Sequence, residues 1–182
     1  MTIDWSPARY GYKTIAIHWI TVPLIIAVFA TMELKPYTAK GGELRETLMF
    51  WHYLLGLAVL AAVWFRVAAR RMESAPPDLG GPTWKRAMAA LTHRFLYVLM
   101  FIMPVLGWLA LNAKGQGVHI AGLDLPMLVE KNESLARLLK QWHQALANAG
   151  YVALALHVLA VLYHQFVARD RTLLRMMPAS AE

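Results

Sequence analysis

The sequence predicts an all-α fold: an integral membrane four-helix bundle with both termini in the cytoplasm. Three observations carry this expectation. Residues 14–32, 47–65, 95–113 and 141–168 contain no Asp, Glu, Lys or Arg, and each run is long enough to cross a bilayer. Hydrophobic residues make up 58% of the 182 positions, which leaves no room for a separate soluble catalytic domain. Lys and Arg are also divided unevenly. Eleven fall in the N-terminus, the helix 2–3 connection and the C-terminus, and seven fall on the opposite side, which favours cytoplasmic termini.

The whole chain, 1–182, reads as a single membrane domain with helices at about 14–33, 47–69, 88–112 and 135–168. Residues 1–12 are a polar lead with Pro7, and no small-x-small cleavage site follows, so helix 1 is expected to be retained. Glu33, Lys35 and Pro36 end helix 1. A loop with Gly41-Gly42 leads to helix 2, which Arg66, Arg70 and Arg71 close. Residues 74–82, SAPPDLGGP, form a turn-rich linker. Residues 83–94 are a basic amphipathic entry with Trp84 as interfacial anchor, and Pro104 is expected to kink helix 3. Residues 114–140 are the longest connection, whose tail from Glu133 is helix-prone and expected to run into helix 4. Residues 169–182 are a polar end.

Composition excludes several chemistries. With no Cys there are no disulfides, thiolate nucleophiles, cysteine-held iron–sulfur clusters or thioether-attached haem. The formal charge is +7, but the basic residues flank apolar spans, so they serve membrane orientation and not nucleic-acid binding. The partner implied by composition is membrane lipid.

The informative residues are histidines. An imidazole in a membrane span costs free energy and marks a functional site. His143 and His157, fourteen positions apart on helix 4, lie about 40° apart around the helix and about 21 Å apart along it. His164 continues the stripe, and Gly150 sits midway, where a missing side chain suits either a flat ligand or a helix contact. His52 opens helix 2 from the same side as His143, while His18 and His93 lie near the other side, with His157. Facing imidazoles from different helices hold a b-type haem, and two strong axial ligands favour electron transfer over oxygen binding. The outer pair is His52 with His143. The inner pair uses His157, with His18 or His93 opposite. His119 reads as a surface loop residue. Trp19, Trp51 and Trp142 read as interfacial anchors. The ten methionines read as core filler.

The segments KTIAIHWITVPLI, WHYLLGLAVL, LYVLMFIMPVLGW and KQWHQALANAGYVALALHVLAVLYHQF, with the closing RDRTLLRMMP, resemble the bacterial di-haem cytochrome b561 family over nearly the whole chain. The resemblance implies a four-helix bundle in the bacterial inner membrane with two haem b groups. It implies His18 and His157 as ligands of the cytoplasmic-side haem iron, and His52 and His143 as ligands of the periplasmic-side haem iron. Similar proteins carry electrons between a periplasmic donor and membrane quinone, and one branch oxidises superoxide and reduces ubiquinone.

The resulting expectation is an oxidoreductase with superoxide as donor and ubiquinone as acceptor. Lys35, Lys114, Lys131, Arg137 and Lys140 are candidates for steering the anion. His164 is a candidate proton donor for quinone. The alternative is a haem-b membrane anchor for a partner hydrogenase or dehydrogenase. A third reading is a histidine-lined transporter or proton relay without haem.

Overall fold

The computed structural model describes residues 9–77, 80, 82–120 and 122–178. The first eight residues of the polar lead, including Pro7, positions 78, 79 and 81 of the linker, and the last four residues of the polar end lie outside the described residues.

Four helices are long and apolar enough to cross a bilayer: α1 (Tyr12–Leu34), α2 (Glu43–Met72), α3 (Thr83–Ala113) and α4 (Glu133–Leu162). A 3-10 turn, Lys35–Tyr37, ends α1, and one π-helical turn, Tyr163–Ala168, extends α4. At 1.5 Å per residue a 30-residue helix spans about 45 Å, against a hydrocarbon layer of about 30 Å, so helix ends project or tilt. That surplus lets α2 run beyond its expected end at about 69, through Arg70 and Arg71 to Met72. Arg70 and Arg71, both exposed, can lay their stems along apolar surface and keep their charges at the interface.

The basic entry at 83–94 is the first part of α3, and the segment from Glu133 is continuous with α4. The α3 helix continues through Pro104 to Ala113. The connection before α4 holds a small antiparallel hairpin, β1 (Val118–Ile120) and β2 (Leu123–Leu125), with His119 opposite Asp124. The exposed His119 Nδ1 lies 2.5 Å from Asp124 Oδ1. Sequence reading left this stretch as an irregular loop, because two three-residue strands are too short to show an alternating pattern.

Consecutive helices pair. The backbones of α1 and α2 pack closely, as do those of α3 and α4, and a smaller α2–α3 contact joins the pairs. Backbone contact of α4 with α1 or α2 is at most marginal. Many of the residues buried within these contacts are small, including Ala62, Ala69, Ala113, Ala136, Gly150 and Ala153. Without a hydrophobic drive between helices in lipid, small side chains let backbones approach and gain van der Waals contact. The large apolar residues face outward: Ile20, Ile26, Trp64, Phe65, Val152 and Leu159 are among those exposed to the surrounding lipid.

The two ends are tied down differently. At the end bearing the chain termini, Gly11 is the N-cap of α1 and has no side chain to supply a cap. Glu73, just past α2, fills the role: Oε1 accepts from Lys13 N at 3.1 Å, and Oε2 accepts from Thr14 N at 2.9 Å and Thr14 Oγ1 at 2.7 Å. A Cβ on Gly11 would overlap this carboxylate. The anion also suits the positive end of the helix dipole. Hydrogen bonds from the Thr14 side chain and backbone hold the Glu73 carboxyl below its usual range. At the hairpin end, Asn112 is fully buried; its Oδ1 accepts from Leu128 N at 2.9 Å, and its Nδ2 donates to Gln116 O at 3.2 Å.

Gly11→Ala is expected to lower the melting temperature in detergent by about 2–4 °C or more, by expelling the Glu73 carboxylate. Because the folded pKa of Glu73 is depressed, its stabilisation is present above the ordinary carboxylate range and lost as pH falls through the depressed value. The stability difference between wild type and Glu73→Gln should therefore shrink in acid; a difference constant with pH would contradict the cap. Asn112→Ala is expected to cost about 1–3 kcal/mol in chemical denaturation, since it strands the Leu128 amide.

Candidate functional site

Two groups of histidines lie within the bundle, one towards each end. Towards the hairpin end, His52 of α2 faces His143 of α4, with ring centroids 6.2 Å apart and planes inclined at 70°. The His52 ring is fixed through Nδ1, which lies 3.1 Å from Thr31 Oγ1 and 3.3 Å from Val28 O. Thr31 donates its only hydroxyl hydrogen to Val28 O at 2.6 Å. Both neighbours of Nδ1 are thus acceptors, so Nδ1 carries the proton and Nε2 keeps a free lone pair. That is the tautomer a metal ligand needs.

The His143 Nδ1 is buried, and the backbone of Met103 is the polar group beside the ring. Its ring lies over Gly107 of α3, where a Cβ would sit 3.5 Å from Cε1. Both rings line a narrow cavity of about 40 Å³, together with Leu57, Pro104, Gly107 and Trp108 among others. The Trp108 Nε1 donor beside it is also buried and unpartnered.

Towards the terminal end, three imidazoles gather: His18 of α1, His93 of α3 and His157 of α4. His18 and His157 are half-buried with centroids 6.5 Å apart and planes at 68°. His93 is exposed on its helix, 5.3 Å from His157 at 75°. Arg66 of α2 reaches this group. Its Nη1 lies 3.1 Å from His18 Nδ1, and its Cζ lies 5.2 Å from the centre of the Tyr97 ring.

These separations have chemical content. Two imidazoles bonded through one nitrogen each to a central metal, with bonds of about 2 Å and a ring radius of about 1.1 Å, have centroids about 6.3 Å apart. His52–His143 and His18–His157 match this spacing, whereas His93–His157 is about 1 Å too short. Among the described residues no three or more His, Asp or Glu side chains are arranged to hold a bare metal ion. Two axial nitrogens therefore suit a metal that brings its own equatorial ligands. The packing agrees with this, because both matching pairs reach between α4 and α1 or α2, the helices whose backbones barely touch. Gly56, one turn beyond His52, faces open space where a Cβ would meet nothing within 4 Å. The residues present thus fit a flat macrocycle with an axial imidazole on each face.

The other expected residues sort differently. Gly150 is buried against Leu99 and Phe29, the helix-contact role. His164 lies in the π-helical turn, half-buried, with Nδ1 2.5 Å from Asp170 Oδ2. Arg169, in a left-handed conformation at φ 50°, bends the chain so that Asp170 returns to His164. Trp19, Trp51 and Trp142 are exposed at 39%, 48% and 57%, as interfacial anchors would be, and Trp19 Nε1 also donates to Met176 O at 2.6 Å. At the hairpin end Arg45, Lys140 and Lys114 are near enough to act electrostatically on Lys35. Lys35 and Arg45 line an open surface cavity of about 470 Å³ with Tyr53.

Sequence reasoning missed Arg66, Trp108 and Asp170. Arg66 carried a usable signal: it follows His52 by fourteen positions, the same interval that separates His143 from His157.

Residues 9–179 match the model of the family described as prokaryotic cytochrome b561. Cytochrome b561 homolog 1 of Escherichia coli K12 is 31% identical over 93% of this chain and 97% of its own length. A probable superoxide oxidase CybB of Yersinia pestis is 31% identical over 93% and 96%. Cytochrome b562 of Cereibacter sphaeroides is 28% identical over 92% and 94%. The chain belongs to the prokaryotic cytochrome b561 family, multi-pass membrane proteins of electron transfer that bind haem b.

Proposed function

We propose that the chain holds two b haems in the bacterial inner membrane and passes electrons from superoxide, at the hairpin end, to ubiquinone near the terminal end. His52 and His143 are the ligands of one iron, and His18 and His157 are the ligands of the other. The observation that carries this reading is the pair of centroid separations, 6.2 Å and 6.5 Å, between helices whose backbones stand apart. Haem b bound there supplies a one-electron carrier with no open coordination position. His93, too near His157 and exposed, stays outside the ligand set. The Lys and Arg distribution supports the terminal end as the cytoplasmic side and the hairpin end as the periplasmic side.

Two superoxide anions lose one electron each and leave as dioxygen, while one quinone gains two electrons and two protons. The Lys35, Arg45, Lys114 and Lys140 cluster raises the local concentration of an anion beside His52 and Tyr53. The Yersinia relative carries a superoxide oxidase name, which supports this donor. His164 is the residue proposed to give a proton to quinone. Asp170 holds its Nδ1 and leaves Nε2 to face a substrate. Burial pushes the Asp170 carboxyl up, but hydrogen bonds from Thr172 and His164 outweigh it and keep the pKa below the usual range. Asp170 thus stays an anion that holds the His164 imidazole in place through Nδ1.

Purified His143→Ala and His157→Ala are each expected to carry half the wild-type haem, and His93→Ala the full amount, by haem-to-protein ratio. If both ligand variants keep two haems, the assignment is wrong. Lys35→Gln combined with Lys114→Gln should slow superoxide-driven haem reduction about tenfold at low ionic strength, with the difference closing at high salt. A wild-type protein that superoxide cannot reduce, but a partner dehydrogenase or hydrogenase can, would replace superoxide as the donor.

A further inference from the structure

Arg66 is a permanent cation well inside the apolar surface of the bundle, and its surroundings do not explain it. It lies fourteen residues beyond His52 on α2, as His157 lies fourteen beyond His143 on α4. The equal interval gives equal rise and equal rotation, about 21 Å and about 40°. Arg66 therefore occupies, on α2, the level and face that His157 occupies on α4. Its contacts agree: Nη1 touches His18, and Cζ lies over Tyr97.

What is missing is an anion. Arg66 is half-buried, its Nε is buried without a partner, and none of the described residues places a carboxylate on it. A guanidinium in a membrane span is costly unless paired. Among the described residues, its hydrogen-bonding neighbour from another helix, His18, is a poor substitute. A guanidinium only donates, so His18 Nδ1 must accept, which puts the His18 proton on Nε2. Binding of a metal at Nε2 moves that proton to Nδ1, which then no longer accepts. Arg66 must release His18 at that moment and take another acceptor.

We propose that this acceptor is an ionised carboxylate of the macrocycle itself, a haem propionate, so that Arg66 is the counter-charge anchoring the haem of the His18–His157 site. The inference rests on the ligand assignment proposed above and adds a binding residue to it. The planar, five-donor guanidinium suits a carboxylate, and its unused Nε lets it bind through two parallel hydrogen bonds. The handover also couples loading to the His18 tautomer, since Arg66 blocks the metal-binding tautomer until a carboxylate draws it away.

The test is a chemical double-mutant cycle on apo-protein in detergent, reconstituted with haem b or with its propionate dimethyl ester. Affinity is read from the absorbance of the bis-imidazole complex, using His143→Ala as background so that only the His18–His157 site is followed. With Arg66 present, the ester is expected to bind at least about tenfold more weakly than haem b, the scale of one charge-assisted hydrogen bond. In Arg66→Gln the two should bind equally, and Arg66→Lys should restore part of the preference. Equal binding of ester and acid with Arg66 present overturns the proposal, as does an unchanged preference in Arg66→Gln. If the His143→Ala background binds neither, the ligand assignment itself has failed. If Arg66→Gln does not fold, the ester comparison in the Arg66 protein still decides the matter.

Discussion

An imidazole placed in hydrocarbon must find a partner, and this chain places four of them in opposed pairs across gaps that the helices do not close. Most of the architecture follows from keeping those gaps. Close backbone packing is spent on α1 with α2 and α3 with α4. Small residues make those contacts tight, so the space between the pairs is not consumed. Each matching imidazole pair then bridges a gap at the span of two metal–nitrogen bonds.

Holding a ring at such a gap takes more than position. His52 is oriented by a relay from Val28 O through the Thr31 hydroxyl, which fixes the proton on Nδ1 and points the lone pair of Nε2 elsewhere. His143 rests over Gly107, close enough that an added Cβ would lie in van der Waals contact with the ring. His18 is held in the other tautomer by Arg66. The two ends of the bundle thus hold their histidines in different tautomers. At the terminal end, the chain after α4 folds back along α1: Tyr10 N donates to Arg175 O, and Trp19 Nε1 donates to Met176 O. This return lets α4 extend well past His157 while α1 begins only a few residues before His18. The two rings still meet across the gap despite their unequal distances from the helix ends.

Much of this was legible in the residues. Charge-free runs located the four spans, and the fourteen-residue interval on α4 located two imidazole levels. The pairing of His52 with His143 followed from depth alone. What was not legible depended on packing across helices. Position in the sequence left both His18 and His93 open opposite His157, a choice that only the family resemblance made for His18; the fold sets one ring at 6.5 Å and the other at 5.3 Å. Helix 2, expected over about 47–69, runs from Glu43 to Met72 and carries Arg70 and Arg71 as well as Arg66 without breaking. The π-helical turn that brings His164 to Asp170 leaves no periodic mark, being only six residues long. Asn112, inside the third charge-free run, is the buried clasp of the hairpin-end loop, a role that only the folded contact with Leu128 shows.

The proposed electron path needs an iron centre within each of two imidazole pairs. Anomalous X-ray scattering at the iron edge, from crystals of the protein purified with its native pigment, tests this directly. It should give two peaks, one midway between His52 and His143 and one midway between His18 and His157, no more than about 21 Å apart. A single peak, no peak, or a peak between His93 and His157 would contradict it.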